Sequence, residues 1–197
     1  MAQYTPSSGD YCRTHRSPWS NFPTRSMQAL SSIVLSSVIP LGRMVSLLGG
    51  ATTSAGQIIP SAALGAAGTQ IVGIAAFNAM NPANSSATAN GFGPVWEANP
   101  LSEFKAITKG APNGSSCIGL RRSLQWDSTL NVQYIDLTTS TSTEWRVLVT
   151  ENLFGLTGHV EGDSGTYMAF KFLPHLTENI GSSVAITSTT PILAFFS

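Results

Sequence analysis

Three stretches decide the fold: NVQYIDL (131–137), WRVLVT (145–150) and TYMAFKFL (166–173). The first two alternate residue by residue between two sets of side chains, and the third is dense in aromatic and apolar residues. The alternating sets are Val132, Tyr134 and Asp136 against Gln133, Ile135 and Leu137, then Trp145, Val147 and Val149 against Arg146, Leu148 and Thr150. This period of two, in β-branched and aromatic residues, predicts three antiparallel strands.

The rest of the chain repeats this organisation. Further short strand candidates are separated by Gly-, Asn-, Pro- and Ser-rich turns, and no long amphipathic helix is evident. The candidates are residues 70–80, 92–97, 103–108, 117–120, 182–188 and 192–196. The sequence therefore predicts an all-β sandwich or barrel of eight to ten strands. We expect residues 1–48 to be an N-terminal arm and lead-in segment, and residues 49–197 to be one β domain.

The chain is poor in charge. Only 10% of its 197 residues are charged, and residues 45–96 hold no charged side chain, against about 25% in a typical soluble domain. Residues 26–48, whose apolar side chains fall close to helical spacing, are interrupted by serines, Pro40 and Arg43, so no membrane span is predicted. A surface with so few charged side chains favours burial against other molecules, with sister subunits among the candidates.

Formal charges sum to zero, which argues against a strongly basic nucleic-acid binder. Local basicity occurs only near the start, where Arg13, His15, Arg16 and Arg25 are opposed by Asp10 alone. We expect this stretch to be a weakly basic extended arm.

Cys12 and Cys117 lie far apart, so the sequence predicts no disulfide framework and a reducing compartment. Two Asn-x-Ser sequons, at Asn84 and Asn113, are common by chance in a Ser-rich chain, and no secretory signal is recognised before them.

One motif suggests an enzyme. GDSG at residues 162–165 matches the surroundings of the nucleophile in chymotrypsin-like serine proteases, whose mechanism needs a histidine base and an orienting carboxylate. That family places its histidine well upstream of the serine, but residues 16–158 contain none, and His15 precedes every predicted strand. A polar turn explains the motif better, so no catalytic residue is assigned and the chain is not expected to be an enzyme.

Metal and cofactor motifs are likewise missing from the sequence. There is no CxxC, HExxH, P-loop or GxGxxG pattern, and the carboxylates are scattered. Carboxylates such as Glu103 and Glu151 are expected to be solvated surface acids, with Ca²⁺ at a subunit interface left as an open alternative. The sequence assigns no cofactor-binding or metal-binding residue.

The ordering of strands and loops resembles the shell domain of small icosahedral RNA-virus coat proteins, nearest to the nodavirus and tombusvirus-like group. The resemblance covers residues 68–175. It rests on QIVGIAAFNAMNPANSSATANGFGPVWEANP, which ends in the V-W-x-A pattern of Val95 to Ala98, and on EWRVLVTENLFGLTGHVEGDSGTYMAFKFLP.

This resemblance implies an eight-stranded antiparallel jelly roll with an extended N-terminal arm, many copies of which assemble in the host cytoplasm into an icosahedral virion enclosing genomic RNA. If the arm faces inward, Arg13, Arg16, Arg25 and Arg43 are the candidates to contact phosphate. The Arg121-Arg122 pair is a second candidate, which a solvated turn explains equally well. A secreted or surface β-sandwich of the adhesin or fibre type has the same composition and stays open as an alternative. A chymotrypsin-like protease is the third interpretation.

Overall fold

The computed structural model describes the chain as a set of short β-strands. The described residues are 11–19, 21–28, 39–47, 58–60, 70–76, 92–110, 117–138, 146–153 and 166–173, and none of them is α-helical. The strands in chain order are β1 (Arg13–Arg16), β2 (Thr24–Gln28), β3 (Met44–Leu47), β4 (Ile58–Pro60), β5 (Gln70–Ala75), β6 (Phe92–Glu97), β7 (Glu103–Lys109), β8 (Arg121–Asp127), β9 (Val132–Asp136), β10 (Val147–Asn152) and β11 (Tyr167–Phe172).

The first sheet has the strand order β1-β7-β11-β10-β8-β9. An additional parallel pairing joins β9 to β7, with Ile107 opposite Tyr134 and Lys109 opposite Asp136, so five of its strands pair in a closed ring. All other pairings in this sheet are antiparallel. Closure of the ring pairs the backbone groups that an open sheet would leave at its edges.

A tight turn joins β8 to β9 within this ring. The Asp127 carboxylate accepts hydrogen bonds from the backbone N–H groups of Thr129 and Leu130, at 3.0 and 3.1 Å. Asn131 then adopts a positive φ of 54°, a conformation that asparagine tolerates better than most residues. Asp127 and Asn131 are therefore used here as turn-forming residues, in the way that their side chains favour.

The second sheet has the order β2-β6-β5-β3-β4, and every pairing in it is antiparallel. Its strands β3 to β6 come from the uncharged residues 45–96, apart from Met44 at one end and Glu97 at the other. The second sheet is consequently almost free of charge except along β2.

The largest hydrophobic core joins the two sheets. Met44, Ile71 and Ile74 of the second sheet pack in one cluster with residues of the first. Its centre is aromatic: Phe104 contacts the rings of Phe22, Phe170 and Phe172, with centroid separations of 4.9, 5.9 and 5.4 Å.

A buried side chain adds a polar link between the sheets. The Gln133 side-chain carbonyl on β9 accepts a hydrogen bond of 3.1 Å from the backbone N–H of Met44 on β3. Gln133 is 2% exposed. Because a buried amide without a partner is costly, this bond fixes the position of β3 against β9.

Two smaller clusters cover the opposite faces of the sheets. One contains Met27, Val45, Ala75 and other residues of the second sheet, and the other contains Val132, Tyr167 and neighbours on the first. Along β9, Val132 and Tyr134 belong to the smaller cluster, whereas Ile135 and then Leu137 belong to the large core. This alternation confirms the two faces predicted for residues 131–137.

The all-β class and the antiparallel sheets are confirmed. The described residues hold eleven strands in sheets of six and five, where the resemblance implied eight, and the jelly roll stays a prediction. The strand predicted at 117–120 is wrong: these residues form a turn, and β8 begins at Arg121, which places Arg121 and Arg122 on a strand rather than in a turn. Residues 182–188 and 192–196 lie outside the described residues.

The start of the chain contributes to both sheets. β1 pairs with β7, β2 pairs with β6, and β3 pairs with β4 and β5. Residues 13–16, 24–28 and 44–47 thus lie inside the segment that the sequence assigned to an arm and lead-in. The division of the chain at residue 48 stays a prediction.

Candidate functional site

The four arginines proposed to contact phosphate lie in three places. Arg13 and Arg16 are the two ends of β1 in the first sheet, Arg25 lies on β2 in the second, and Arg43 directly precedes β3. The fold therefore brings Arg13 and Arg16 onto one strand but does not gather all four on one element.

Arg13 and Arg43 contact aromatic rings. The Arg43 guanidinium lies 4.4 Å from the centroid of the Trp126 ring, and that of Arg13 lies 5.8 and 5.7 Å from the rings of Tyr11 and Tyr167. These distances suit cation–π attraction. Burial also lowers the pKa of Arg43. Both side chains are half-buried, so they are held within the fold rather than presented outward.

Arg16 and Arg25 are exposed and paired with carboxylates. The Arg25 Nε atom lies 2.6 Å from an oxygen of Glu97, and Arg16 lies 3.1 Å from Glu151 and 3.6 Å from Glu103. Exposed ion pairs of this kind contribute only about 0–1 kcal/mol. A phosphate could therefore displace these carboxylates at small cost, and phosphate contact by the four arginines stays a prediction.

A cleft of about 230 Å³ lies beside the Arg25–Glu97 ion pair. Its remaining walls are residues of the second sheet and of the segment after β6: Met27, Leu47, Ile71, Val72 and Ala98. Among the described residues that line the cleft, only the two members of that ion pair are charged, and none is a nucleophile with an adjacent base.

A second group of side chains was missed at the sequence level. His15 of β1, Glu103 of β7 and Glu151 of β10 place one potential ligand atom each within 4.8 Å of one another. The expectation that Glu103 is a solvated surface acid is wrong, since it is only 8% exposed. The expectation that His15 precedes every strand is also wrong, because it lies in β1. Since His15 and Glu151 are 136 residues apart, no local motif could have revealed the group.

Cys12 and Cys117 are both free thiols buried in the core that joins the sheets. The burial of Cys12 strongly raises the pKa of its thiol because the thiolate would lose its hydration. The thiolate is the reactive form of cysteine, so neither accessibility nor ionisation favours a chemical role for Cys12.

We expect the two thiols to resist modification in the folded protein. A chromogenic disulfide reagent at neutral pH should label neither within minutes, because both are buried, and should label two thiols per chain once denaturant is added. The rates of thiol labelling in the native and denatured states should differ by about 10³-fold or more. This ratio follows from a free energy of opening above about 4 kcal/mol. Equal rates in the two states would show that these cysteines do not lie in the core.

The residues of the protease interpretation cannot be placed against one another. The GDSG motif, His159 and His175 lie outside the described residues. In the part of the chain that is described, no helix has the length and apolar character needed to cross a membrane.

Comparison of the chain with protein-family models, with curated proteins and with solved structures found no match. The resemblance to viral shell domains therefore rests on the pattern of the sequence alone.

Proposed function

We propose that this protein is a structural coat protein, many copies of which assemble into a closed icosahedral shell around an RNA genome. The jelly-roll arrangement of its strands belongs to the same proposal. The observation that carries it is the second sheet, in which four of five strands come from the uncharged residues 45–96.

The edge of the second sheet has properties that suit contact with another copy. Among the described strands, β4 forms one edge of this sheet and pairs only with β3. Soluble monomers usually protect such edges with charged side chains, because unpaired backbone groups invite a strand from another molecule. β4 carries no charged residue, so a second copy is the natural partner for this edge.

Large apolar side chains on the first sheet and its turns support the same proposal. Ile118 and Leu120 are 44% and 39% exposed in the turn before β8, and Leu101 is 59% exposed in the turn before β7. Single exposed leucines are ordinary, but Ile118 and Leu120 are two large exposed apolar side chains within one turn. Permanent interfaces prefer such side chains.

The arginines contribute unequally to RNA contact in this proposal. Arg16 and Arg25 are exposed and form ion pairs, whereas Arg13 and Arg43 are half-buried beside aromatic rings. We therefore assign phosphate contact first to Arg16 and Arg25. Because so few cations are available, any packaging should be weak and sensitive to salt.

The decisive experiment is to express the full chain alone and measure its size by light scattering and negative-stain electron microscopy. Uniform closed particles are expected, and their absorbance ratio at 260 and 280 nm reports whether nucleic acid is enclosed. A stable monomer of about 20.7 kDa would overturn the proposal and favour the surface β-sandwich.

A charge placed on the exposed turn should block assembly without unfolding the chain. We expect Ile118→Asp to raise the concentration needed for assembly by more than about tenfold, because desolvating an unpaired carboxylate at an interface costs well above 1.4 kcal/mol. Ser128→Asp is the matched control, since Ser128 is an exposed polar residue in the β8–β9 turn. Circular dichroism should show both variants folded. If Ile118→Asp assembles like Ser128→Asp, this turn is not part of an interface.

A further inference from the structure

We propose that His15, Glu103 and Glu151 form a binding site for a divalent transition-metal ion of the zinc class. All three residues belong to the first sheet of one chain, on β1, β7 and β10. The site is therefore complete in a single copy and does not depend on assembly.

The donor set fits this class of ion. The three residues offer one imidazole nitrogen and two carboxylate oxygens. Imidazole favours ions such as Zn²⁺ over Ca²⁺ and Mg²⁺, which take oxygen ligands almost exclusively. Three protein ligands with one position left to water is a common arrangement for zinc.

One distance already matches tetrahedral geometry. His15 Nε2 lies 3.3 Å from Glu151 Oε2. Two ligands about 2.0–2.1 Å from a tetrahedral zinc are separated by about 3.3–3.4 Å. The three potential ligand atoms lie within 4.8 Å of one another, so the Glu103 carboxylate moves inward by up to about 1.4 Å to complete the set.

Glu103 carries a buried oxygen that lacks a hydrogen bond. The residue is 8% exposed, and no described group donates a hydrogen bond to its Oε2 atom. Oε2 faces Arg16 at 3.6 Å, and Lys171 lies 3.7 Å from Oε1. Both distances exceed hydrogen-bond length, so a closer cation would satisfy this buried carboxylate oxygen.

Two β-bulges lie at residues of the proposed site, one at His15 and one directly before Glu151. In the pairing of β1 with β7, Thr14 faces Phe104 and Arg16 faces Glu103, so His15 is the extra residue. In the pairing of β10 with β11, the extra residue falls directly before Glu151. Bulges redirect side chains and are over-represented next to functional sites.

Arg16 contacts both carboxylates that would bind the ion. Its guanidinium lies 3.1 Å from Glu151 and 3.6 Å from Glu103, between the two carboxylates. The Arg16 side chain is 64% exposed, so it can turn into solvent when a metal ion enters. A divalent ion then replaces one positive charge between two carboxylates, and Arg16 acts as a competitor for the site.

The test is calorimetric titration of the full chain with ZnCl₂ after treatment with a chelator. We expect one site per chain, weakened by about 10–100-fold or more in His15→Gln and in Glu151→Gln, which keep the side-chain size while removing a ligand. Glu97→Gln is the matched control, because it breaks an exposed ion pair in the other sheet and should leave the affinity unchanged. Absence of saturable binding by the wild type, or binding retained in His15→Gln, overturns the proposal.

A second variant separates a metal site from a purely structural ion cluster. Arg16→Gln removes the competing cation from an exposed position, so the fold is retained and zinc should bind more tightly than to the wild type. Unchanged or weaker binding would show that zinc does not occupy the place of the guanidinium, and the assignment would fail.

Discussion

Replacing Phe104 with alanine should lower the free energy of unfolding by about 3–5 kcal/mol. Phe104 is fully buried and contacts three other aromatic rings in the core that joins the sheets. Removing the ring loses its buried surface and leaves a cavity among Phe22, Phe170 and Phe172. Phe170 and Phe172 lie on β11, which is fixed by backbone pairing to β7 and β10, so this side of the cavity cannot collapse. Such a loss is a large part of the 5–15 kcal/mol that stabilises a typical domain.

Urea denaturation followed by tryptophan fluorescence measures this effect, at one protein concentration below that of assembly. Phe22→Ala is the matched control, because Phe22 packs against the same ring but is only partly buried. Its loss should be smaller, because less buried area is removed. A loss for Phe104→Ala no larger than that for Phe22→Ala would contradict the placement of Phe104 at the centre of the core.

Replacing Gly73 with alanine should cost at least the upper end of the roughly 1–3 kcal/mol typical of overpacking. A Cβ atom at Gly73 would overlap the backbone carbonyl oxygen of Trp96 on the neighbouring strand. Gly73 faces Glu97 across β5 and β6 and also marks an irregular register with β3. Because the obstacle is backbone, relief requires that β5 and β6 separate, which breaks their hydrogen bonds.

Gly119→Ala is the control for this substitution. Gly119 has a positive φ of 80° but no atom within 4 Å of the position of a Cβ, so alanine there meets only the backbone penalty of about 1–2 kcal/mol. The free energy of unfolding of each variant, measured by urea titration, should therefore fall further for Gly73→Ala. Equal losses would mean that β5 and β6 do not approach each other at this point.

Charged substitutions in the uncharged run test folding of the single chain rather than assembly. Ile71 and Ala76, which lie in the uncharged run, are both buried within one chain. A charge at either position should therefore prevent folding before it affects contacts between copies. Ile118 and Leu120 are the better positions for testing assembly, because they are exposed in the single chain.

The strand pattern was predictable because it is local. Residues 132–136 alternate between two clusters as the sequence indicated, and Val147 and Val149 share the large core. Turn residues were predictable for the same reason, since the Asp127 carboxylate accepts a backbone hydrogen bond in the turn that follows β8. The turn at residues 117–120 was misassigned because its apolar residues Ile118 and Leu120 are exposed rather than buried in a strand.

The amino-acid sequence by itself determined the all-β class, the faces of its best strands and the absence of charge from most of the second sheet. Which strands become neighbours was decided only by the tertiary structure, because a period of two defines the faces of a strand but not its partner. The parallel pairing of β7 with β9, and the meeting of His15, Glu103 and Glu151, depend on contacts between residues far apart in the chain. The same separation explains why the sequence did not predict the ion pairs of Arg16, which was expected in an extended arm. The carboxylates that bind it, Glu103 and Glu151, come from β7 and β10.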